Sequence, residues 1–218
     1  MATEFTDLCR AGDLDRIKEL TNIYTTSQSM ITTGFLYACD TGHLHVVKYL
    51  IELYKSACFE KINHTDNGYG FIRACNNRHL HIVIYLINLY KINSDYDIIN
   101  IHADNECAFT WACKNGHFHI VEYLINLYKI NPDYDIINIH ALDEFGFRRA
   151  CYYGHLYIVK YLINLYKSNL SHPNYNMINI HIHCEAGFRW AYTSCHTHVV
   201  KYLLSVGSYY NYNNILFL

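Results

Sequence analysis

Histidine and cysteine are the residues of this chain whose spacing could support chemistry. Five His-x-His triplets occur, and five of the nine cysteines fall into a regularly spaced column. Imidazole and thiolate are the ligands that zinc prefers. The triplets are His43-Leu44-His45, His79-Leu80-His81, His117-Phe118-His119, His181-Ile182-His183 and His196-Thr197-His198. The cysteine column is Cys9, Cys39, Cys75, Cys113 and Cys151.

The geometry of a helix argues against a metal at the histidine triplets. Side chains two residues apart on a helix point about 200° apart, so they cannot share one ion as an i, i+4 pair can. We therefore expect structural histidines, no metal site and no cofactor.

The cysteine column predicts packing and not redox chemistry. Neighbouring helices lie about 10 Å apart, whereas a disulfide needs Cα atoms within about 7 Å. Nine is an odd number and no Cys-x-x-Cys occurs. We expect reduced cysteines that behave as small hydrophobic side chains.

Other signals of catalysis are weak. The sequence offers no evident nucleophile with a nearby base and no glycine-rich phosphate loop, and its carboxylates are scattered. We expect no catalytic residues and no enzyme activity, and a metal-dependent enzyme is kept as an alternative.

The bulk composition describes a folded chain without a basic surface. Of 218 residues, 51% are hydrophobic and 17% charged, with a formal net charge of -2 and a pI near 6.7. Nucleic-acid binding depends on neutralising phosphates, so we expect no nucleic-acid partner.

The sequence also gives no sign of a membrane partner. The first residues have no basic and apolar leader, and no apolar stretch is long enough to cross a bilayer, so we expect no membrane partner. We expect a monomer.

One segment recurs along most of the chain. The copies are Gly34-Phe35-Leu36-Tyr37-Ala38-Cys39, Gly70-Phe71-Ile72-Arg73-Ala74-Cys75, Ala108-Phe109-Thr110-Trp111-Ala112-Cys113, Gly146-Phe147-Arg148-Arg149-Ala150-Cys151 and Gly187-Phe188-Arg189-Trp190-Ala191-Tyr192, and a degenerate sixth begins at Phe5. The interval is 30 residues from Cys9 to Cys39 and 41 from Cys151 to Tyr192. Such periods indicate a repeat solenoid.

Each copy predicts two helices. The second carries apolar residues on one face, as at Ile120, Val121, Leu124, Ile125 and Tyr128. The first is shorter and ends at a glycine such as Gly116, which accepts a left-handed backbone. Arg78 and Cys195 stand where other copies carry that glycine, and a left-handed backbone there would cost about 1 kcal/mol. Neither helix can bury its apolar face alone, so the pairs must stack.

The order Gly-His-x-x-Ile/Val-Val-x-Tyr-Leu, preceded by Ala-Cys-x-x, resembles the ankyrin repeat from Phe5 to Gly207. The resemblance implies an all-α, ankyrin-type helical repeat solenoid with short hairpin arms and about six repeats in one domain over 1–218. The predicted repeats are 1–30, 31–66, 67–104, 105–142, 143–183 and 184–207, and an apolar tail over 208–218 is predicted to cap the last pair.

The chain also departs from the common ankyrin pattern. Thr-Pro-Leu-His is replaced by x-Gly/Ala-Phe-x, as in Tyr69-Gly70-Phe71-Ile72, and each repeat gains about five residues. With phrases such as Phe-Arg-Trp-Ala, this resembles the ankyrin proteins of large DNA viruses that infect amoebae.

In proteins of this kind, partners usually contact the exposed ends of the first helices and the hairpin tips. The resemblance carries this role to the helix-end pairs Asp40 and Thr41, Asn76 and Asn77, Lys114 and Asn115, Tyr152 and Tyr153, and Thr193 and Ser194. It carries it also to the hairpin positions Asp66, Gly68, Asp104, Glu106, Leu142, Glu144, His183 and Glu185. The pair Tyr152-Tyr153 is the strongest candidate because interface hot spots are rich in tyrosine. A basic stripe formed by Arg73, Arg148, Arg149 and Arg189 could add to it, unless these arginines pair with carboxylates of neighbouring repeats.

The resemblance implies a protein–protein interaction module that binds an unidentified partner, a host protein if the chain is viral, through its concave face and hairpin tips. An adaptor for a host ubiquitin ligase is an alternative, although the chain ends about a dozen residues after its last repeat and leaves no room for an F-box-like segment. We expect a cytoplasmic protein, in the host cytoplasm if the chain is viral.

Overall fold

The chain is described here by a computed structural model that covers residues 2–24, 26–56, 64–92, 98–168 and 177–207. Twelve helices and no strand are found in these ranges. The predicted all-α class is confirmed. The helices are α1 (Ala2–Ala11), α2 (Leu14–Ile23), α3 (Gln28–Thr41), α4 (Leu44–Ser56), α5 (His64–Asn76), α6 (Leu80–Ile92), α7 (Ala103–Lys114), α8 (Phe118–Ile130), α9 (Ala141–Tyr152), α10 (Leu156–Ser168), α11 (Ile182–Thr193) and α12 (Thr197–Val206).

The helices form six pairs, as the repeat predicts. In α8 the buried side chains are Ile120, Val121, Leu124, Ile125 and Leu127, so Leu127 takes the core position that the pattern gave to Tyr128. The first helices α3 and α9 begin at Gln28 and Ala141, several residues ahead of the Gly-Phe motifs at Gly34 and Gly146.

The contacts divide the chain into two compact units, residues 1–112 and 113–218. In the first unit, α3 packs against α1, α4 and α5. In the second unit, α9 packs against α10 and α11, and α10 packs against α8 and α12. Within each unit, first helices therefore stack on first helices.

The glycine of the Gly-Phe motif, which lies inside the first helix, has a steric cause in α5 and α11. A Cβ on Gly70 would lie 2.5 Å from Cε1 of Phe35 and 3.1 Å from Sγ of Cys39. A Cβ on Gly187 would likewise lie 3.0 Å from Cε1 of Phe147. The phenylalanine and cysteine of one repeat therefore fill the space that glycine leaves in the next.

The segments before the first helices, where the short hairpin arms are predicted, contain turns and no paired strands in the described ranges. Residues 131–140 form turns and irregular backbone without strand pairing. They lead into three consecutive left-handed residues, Leu142, Asp143 and Glu144, with φ of 51°, 56° and 58°. Asp104, Asn105 and Glu106 repeat this conformation at the start of α7.

The ends of the first helices agree with the sequence pattern. Gly42 and Gly154 are left-handed, with φ of 88° and 78°. Arg78 and Cys195 adopt the same conformation, with φ of 69° and 60°, which confirms the expectation for these two positions. The predicted capping tail over 208–218 lies outside the described residues. Within the described ranges, no helix combines the length and the apolar character needed to cross a membrane.

Candidate functional site

Within each unit, histidines at the start of a second helix connect one repeat to the one before it. His43 and His45 place Nε2 at 3.0 Å from the carbonyl oxygen of Arg10 and 2.9 Å from that of Gly12. Because a carbonyl only accepts, each Nε2 must carry the proton. His79 and His81 make the same contacts with Asp40 and Gly42, both at 3.0 Å. In the second unit, His155 and His198 contact the carbonyl oxygens of Lys114 and Gly154, both at 2.8 Å.

The two histidines of a triplet do not both lie on a helix, so the predicted angle of about 200° between their side chains does not apply to them. His43 precedes α4, so it is not subject to the angular spacing of a helix, and its ring centroid lies 5.8 Å from that of His45. Both Nε2 atoms are instead used by backbone carbonyls. No group of three His, Cys, Asp or Glu side chains that could hold a metal ion is found within the described ranges.

Two of these histidines have a lowered pKa. Burial of His79 and of His155 removes the charged ring from water, which lowers the pKa of each below the ordinary value of 6.5. The hydrogen bonds to the carbonyls of Asp40 and Lys114 act in the opposite direction but are weaker causes. Both rings are therefore held in the neutral form that donates from Nε2.

The cysteine column is chemically quiet. Cys9, Cys39, Cys75, Cys113 and Cys151 are free thiols in the core. Burial raises the pKa of Cys9 to about 12 and raises the pKa of the others as well. The reactive thiolate is not formed near neutral pH, so these residues serve packing.

Each left-handed turn is closed by a histidine and a glutamate four residues apart, a pair that the sequence analysis missed. The Nδ1 of His102 lies 2.7 Å from Oε1 of Glu106, and the Nδ1 of His140 lies 2.9 Å from Oε2 of Glu144. The pair His181 and Glu185 repeats the contact at 2.8 Å. The repeated phrase Asn-x-His-x-x-x-Glu was the available signal.

These contacts correct the prediction that Glu106 and Glu144 lie at hairpin tips and contact a partner. Both residues are only 4% exposed. The Oε1 of Glu144 also accepts a hydrogen bond of 3.0 Å from the backbone N–H of Asn179 in the next repeat. The two carboxylates thus hold the turn, and they are not available at the surface.

In the first unit, the predicted helix-end residues bind one another. Asp40 accepts a hydrogen bond of 2.8 Å from Nδ2 of Asn77 and lies 3.5 Å from the guanidinium of Arg73. The hydroxyl of Thr41 donates to the carbonyl of Tyr37. Asn76 is half-buried beside this group. The arginine of this region thus has a carboxylate partner in the neighbouring repeat.

In the second unit, the predicted helix-end residues form an exposed aromatic group. Tyr152 and Tyr153 are 38% and 40% exposed, and their rings meet edge to face at 4.8 Å. The ring of Tyr152 also meets that of Trp190 at 6.0 Å. The ammonium of Lys114 lies 5.8 Å from the ring of Tyr153, and Asn115 is half-buried next to it.

Arg148 and Arg149 complete this group, and neither makes an ion pair with a carboxylate among the described residues. Each guanidinium lies over the rings of Phe145 and Trp190, at 5.5 and 5.3 Å for Arg148 and at 4.6 and 5.6 Å for Arg149. Arg148 also donates to the carbonyls of Asp143 and Leu142, which closes the left-handed turn. We call this set the α9–α11 cluster; it consists of Phe145, Arg148, Arg149, Tyr152, Tyr153 and Trp190. The sequence did not predict a role for Phe145 or Trp190 at this surface. Trp190 aligns with Arg149 when the repeats are superimposed, which was the available signal.

The sequence matches a family described as ankyrin repeats (3 copies), over residues 35–138 and 71–171. These ranges together cover more than half of the chain. The chain is a member of the ankyrin-repeat family. Ankyrin repeats generally act as protein–protein interaction modules and are typically not enzymes. No curated protein matches the chain.

Proposed function

We propose that this protein binds a partner protein through the α9–α11 cluster, at the exposed ends of its first helices. The observation that carries the proposal is the continuous contact of Tyr152 with both Tyr153 and Trp190 at the surface. Aromatic rings of this kind supply large contact areas to interfaces. Because the rings already hold one another in place, little side-chain entropy remains to be lost on binding.

The setting we propose is a host cytoplasm, with the chain acting as a viral factor on a host protein. Two observations support it. The x-Gly/Ala-Phe-x motif and the longer repeats resemble viral ankyrin proteins of amoebae. The described cysteines are free thiols, as is usual in a reducing compartment.

Affinity capture from an amoebal lysate tests the proposal. The wild-type protein is compared with the double variant Tyr152→Ala/Tyr153→Ala and with Tyr157→Ala. Tyr157 is the matched control because its ring is 80% exposed but lies at the start of α10. We expect a protein that is retained by the wild type and by Tyr157→Ala and is lost by the double variant.

The proposal fails if the double variant, folded as judged by circular dichroism, retains the same proteins as the wild type. It also fails if Tyr157→Ala loses them to the same extent, since exposure of any tyrosine would then explain the result.

A further inference from the structure

We propose that the α9–α11 cluster recognises an acidic peptide segment, one in which carboxylate side chains alternate with apolar ones. The inference rests on the proposed function, because it specifies the chemistry of the partner at the same surface. It is carried by the arrangement of charges around the cluster.

The arginines of this surface have donors left for a ligand. The guanidinium of Arg149 is held by ring faces alone, with no hydrogen bond or ion pair to another described residue. A guanidinium stacked on a ring keeps the N–H groups at its edge directed outward, where they match the two oxygens of a carboxylate. Arg189, exposed on α11, occupies the column of Arg148 in the next repeat, and its guanidinium makes no hydrogen bond or ion pair with the described residues.

The carboxylates near the cluster are already bound by histidines. Oδ2 of Asp143 lies 3.1 Å from Nε2 of His183, and Glu144 and Glu185 are bound by His140 and His181. The negative charges of Asp143 and Glu144 act to raise the pKa of Arg148, but neither carboxylate makes an ion pair with it within the described ranges. In the first unit, by contrast, Asp40 lies beside Arg73. The guanidinium groups of Arg149 and Arg189 are therefore left without a carboxylate partner among the described residues, in a chain of net charge -2.

The aromatic part of the cluster requires apolar groups in the ligand. Tyr152 and Tyr153 present exposed rings next to the arginines. A ligand with carboxylates alone would leave these rings in water, and an apolar ligand alone would cover the guanidinium groups without binding them, which is costly. A segment that alternates the two side-chain types satisfies both.

Stacked arginines and aromatic rings also occur in proteins that bind single-stranded nucleic acid. That binding draws on phosphate neutralisation over an extended basic groove. A chain with a pI near 6.7 and only a few cations at this surface favours the peptide.

The experiment uses a short fluorescent peptide of glutamate pairs separated by single leucines, titrated into the full chain by fluorescence anisotropy. Matched peptides carry glutamine or lysine in place of glutamate. We expect binding of the glutamate peptide, weakening with added salt, and binding at least about tenfold weaker for the glutamine peptide.

Two double variants distinguish binding at the α9–α11 cluster from a general effect of the protein's net charge. Arg149→Gln/Arg189→Gln should weaken the glutamate peptide about tenfold or more, whereas Lys160→Gln/Lys201→Gln should change it less than about twofold. The lysine pair removes the same charge from α10 and α12 of the same unit. A second measurement needs no arginine variant: in a Trp111→Phe background, Trp190 is the remaining tryptophan, and its fluorescence should change on titration with the glutamate peptide.

The inference is overturned if the glutamine peptide binds as tightly as the glutamate peptide, or if the lysine pair weakens binding as much as the arginine pair. Tighter binding of a single-stranded oligonucleotide would also overturn it, as would unchanged Trp190 fluorescence. A partner captured through Tyr152 and Tyr153 while the acidic peptide fails to bind would leave the proposed function intact and refute this inference alone. Peptide binding that depends on the arginines, together with capture that ignores the tyrosines, would refute the proposed function instead.

Discussion

Two stretches of first helix, α3–α5 in the first unit and α9–α11 in the second, share a core and differ at the surface. In the first, Asp40 joins Arg73 and Asn77 by an ion pair and a hydrogen bond. In the second, the equivalent columns hold Tyr152 and Tyr153, and the arginines lie on aromatic rings. One surface satisfies its own charges, and the other keeps donors and rings exposed.

The comparison shows which positions of the repeat are constrained. Phe35 and Phe147 are both fully buried, and each fills the space beside a glycine of the next repeat. The surface columns outside this core are free to change chemistry from one repeat to the next. A binding surface can therefore arise in one stretch without altering the packing of another.

The largest expected effect concerns the shared core. Phe35→Ala and Phe147→Ala should each lower the free energy of unfolding by about 3–5 kcal/mol, because each leaves a cavity that the packed helices cannot close. Chemical denaturation measures both, with the exposed Tyr157→Ala as the control. If only one of the two were destabilising, the cores of the two stretches would not be equivalent.

The glycine beside the core phenylalanine gives a sharper test within the first unit. Gly70→Ala should lower stability by about 1–3 kcal/mol, because the new Cβ would overlap Phe35. Gly68→Ala lies on the same helix with no atom within 4 Å of its new Cβ, so it should raise stability by up to about 1 kcal/mol through helix propensity. Thermal melts that move in the same direction for both variants would contradict this account.

Salt should distinguish the two arginine environments. Arg73→Gln removes an exposed ion pair and should cost about 0.2–1 kcal/mol at low salt and less at high salt, where the pair is screened. Arg149→Gln removes stacking on Phe145 and Trp190 and should cost about 0.5–1 kcal/mol. Because stacking includes packing of the guanidinium plane, its cost should persist at high salt. Equal salt dependence of the two variants would remove the distinction between the surfaces.

The smallest expected effect is a pH dependence common to both units. The folded protein holds His79 and His155 at a lowered pKa, so below pH 6.5 these two side chains bind more protons in the unfolded chain than in the folded one. Stability should therefore be complete above that pH and decrease as the pH falls through 6.5 toward the lowered pKa values.

Melting curves of His79→Gln and His155→Gln between pH 7.5 and 5.5 would test this prediction, because glutamine keeps a donor that does not titrate. Each variant should lose less stability on acidification than the wild type does. His119→Gln, at a side chain that is 74% exposed, is the control. A wild type whose stability rose on acidification would contradict the prediction.

Much of the fold could be predicted because repetition makes weak patterns strong. The helix pairs, the buried cysteines and the left-handed backbone at Arg78 all followed from aligning one copy with another. The left-handed turn at Leu142–Glu144 did not, since it depends on a histidine–glutamate contact and not on residues that favour positive φ.

Part of the candidate site could also be predicted by aligning one repeat with another. The exposure of Tyr152 and Tyr153 followed from their place after the buried Ala150 and Cys151. The contact of Trp190 with Arg149 did not, because a contact between repeats depends on side-chain orientation as well as position. The burial of Glu106 and Glu144 was missed for the same reason.

The packing of a phenylalanine and a cysteine against a glycine of the next repeat would let such a chain lengthen by whole repeats. Phe35 and Cys39 protrude toward Gly70 in the next repeat, and Phe147 and Cys151 protrude in the same way toward Gly187. A duplicated copy inserted between two others would meet complementary partners on both sides. Recombination could thus extend the array by whole copies, and each newcomer would bring a fresh outer surface for selection to shape.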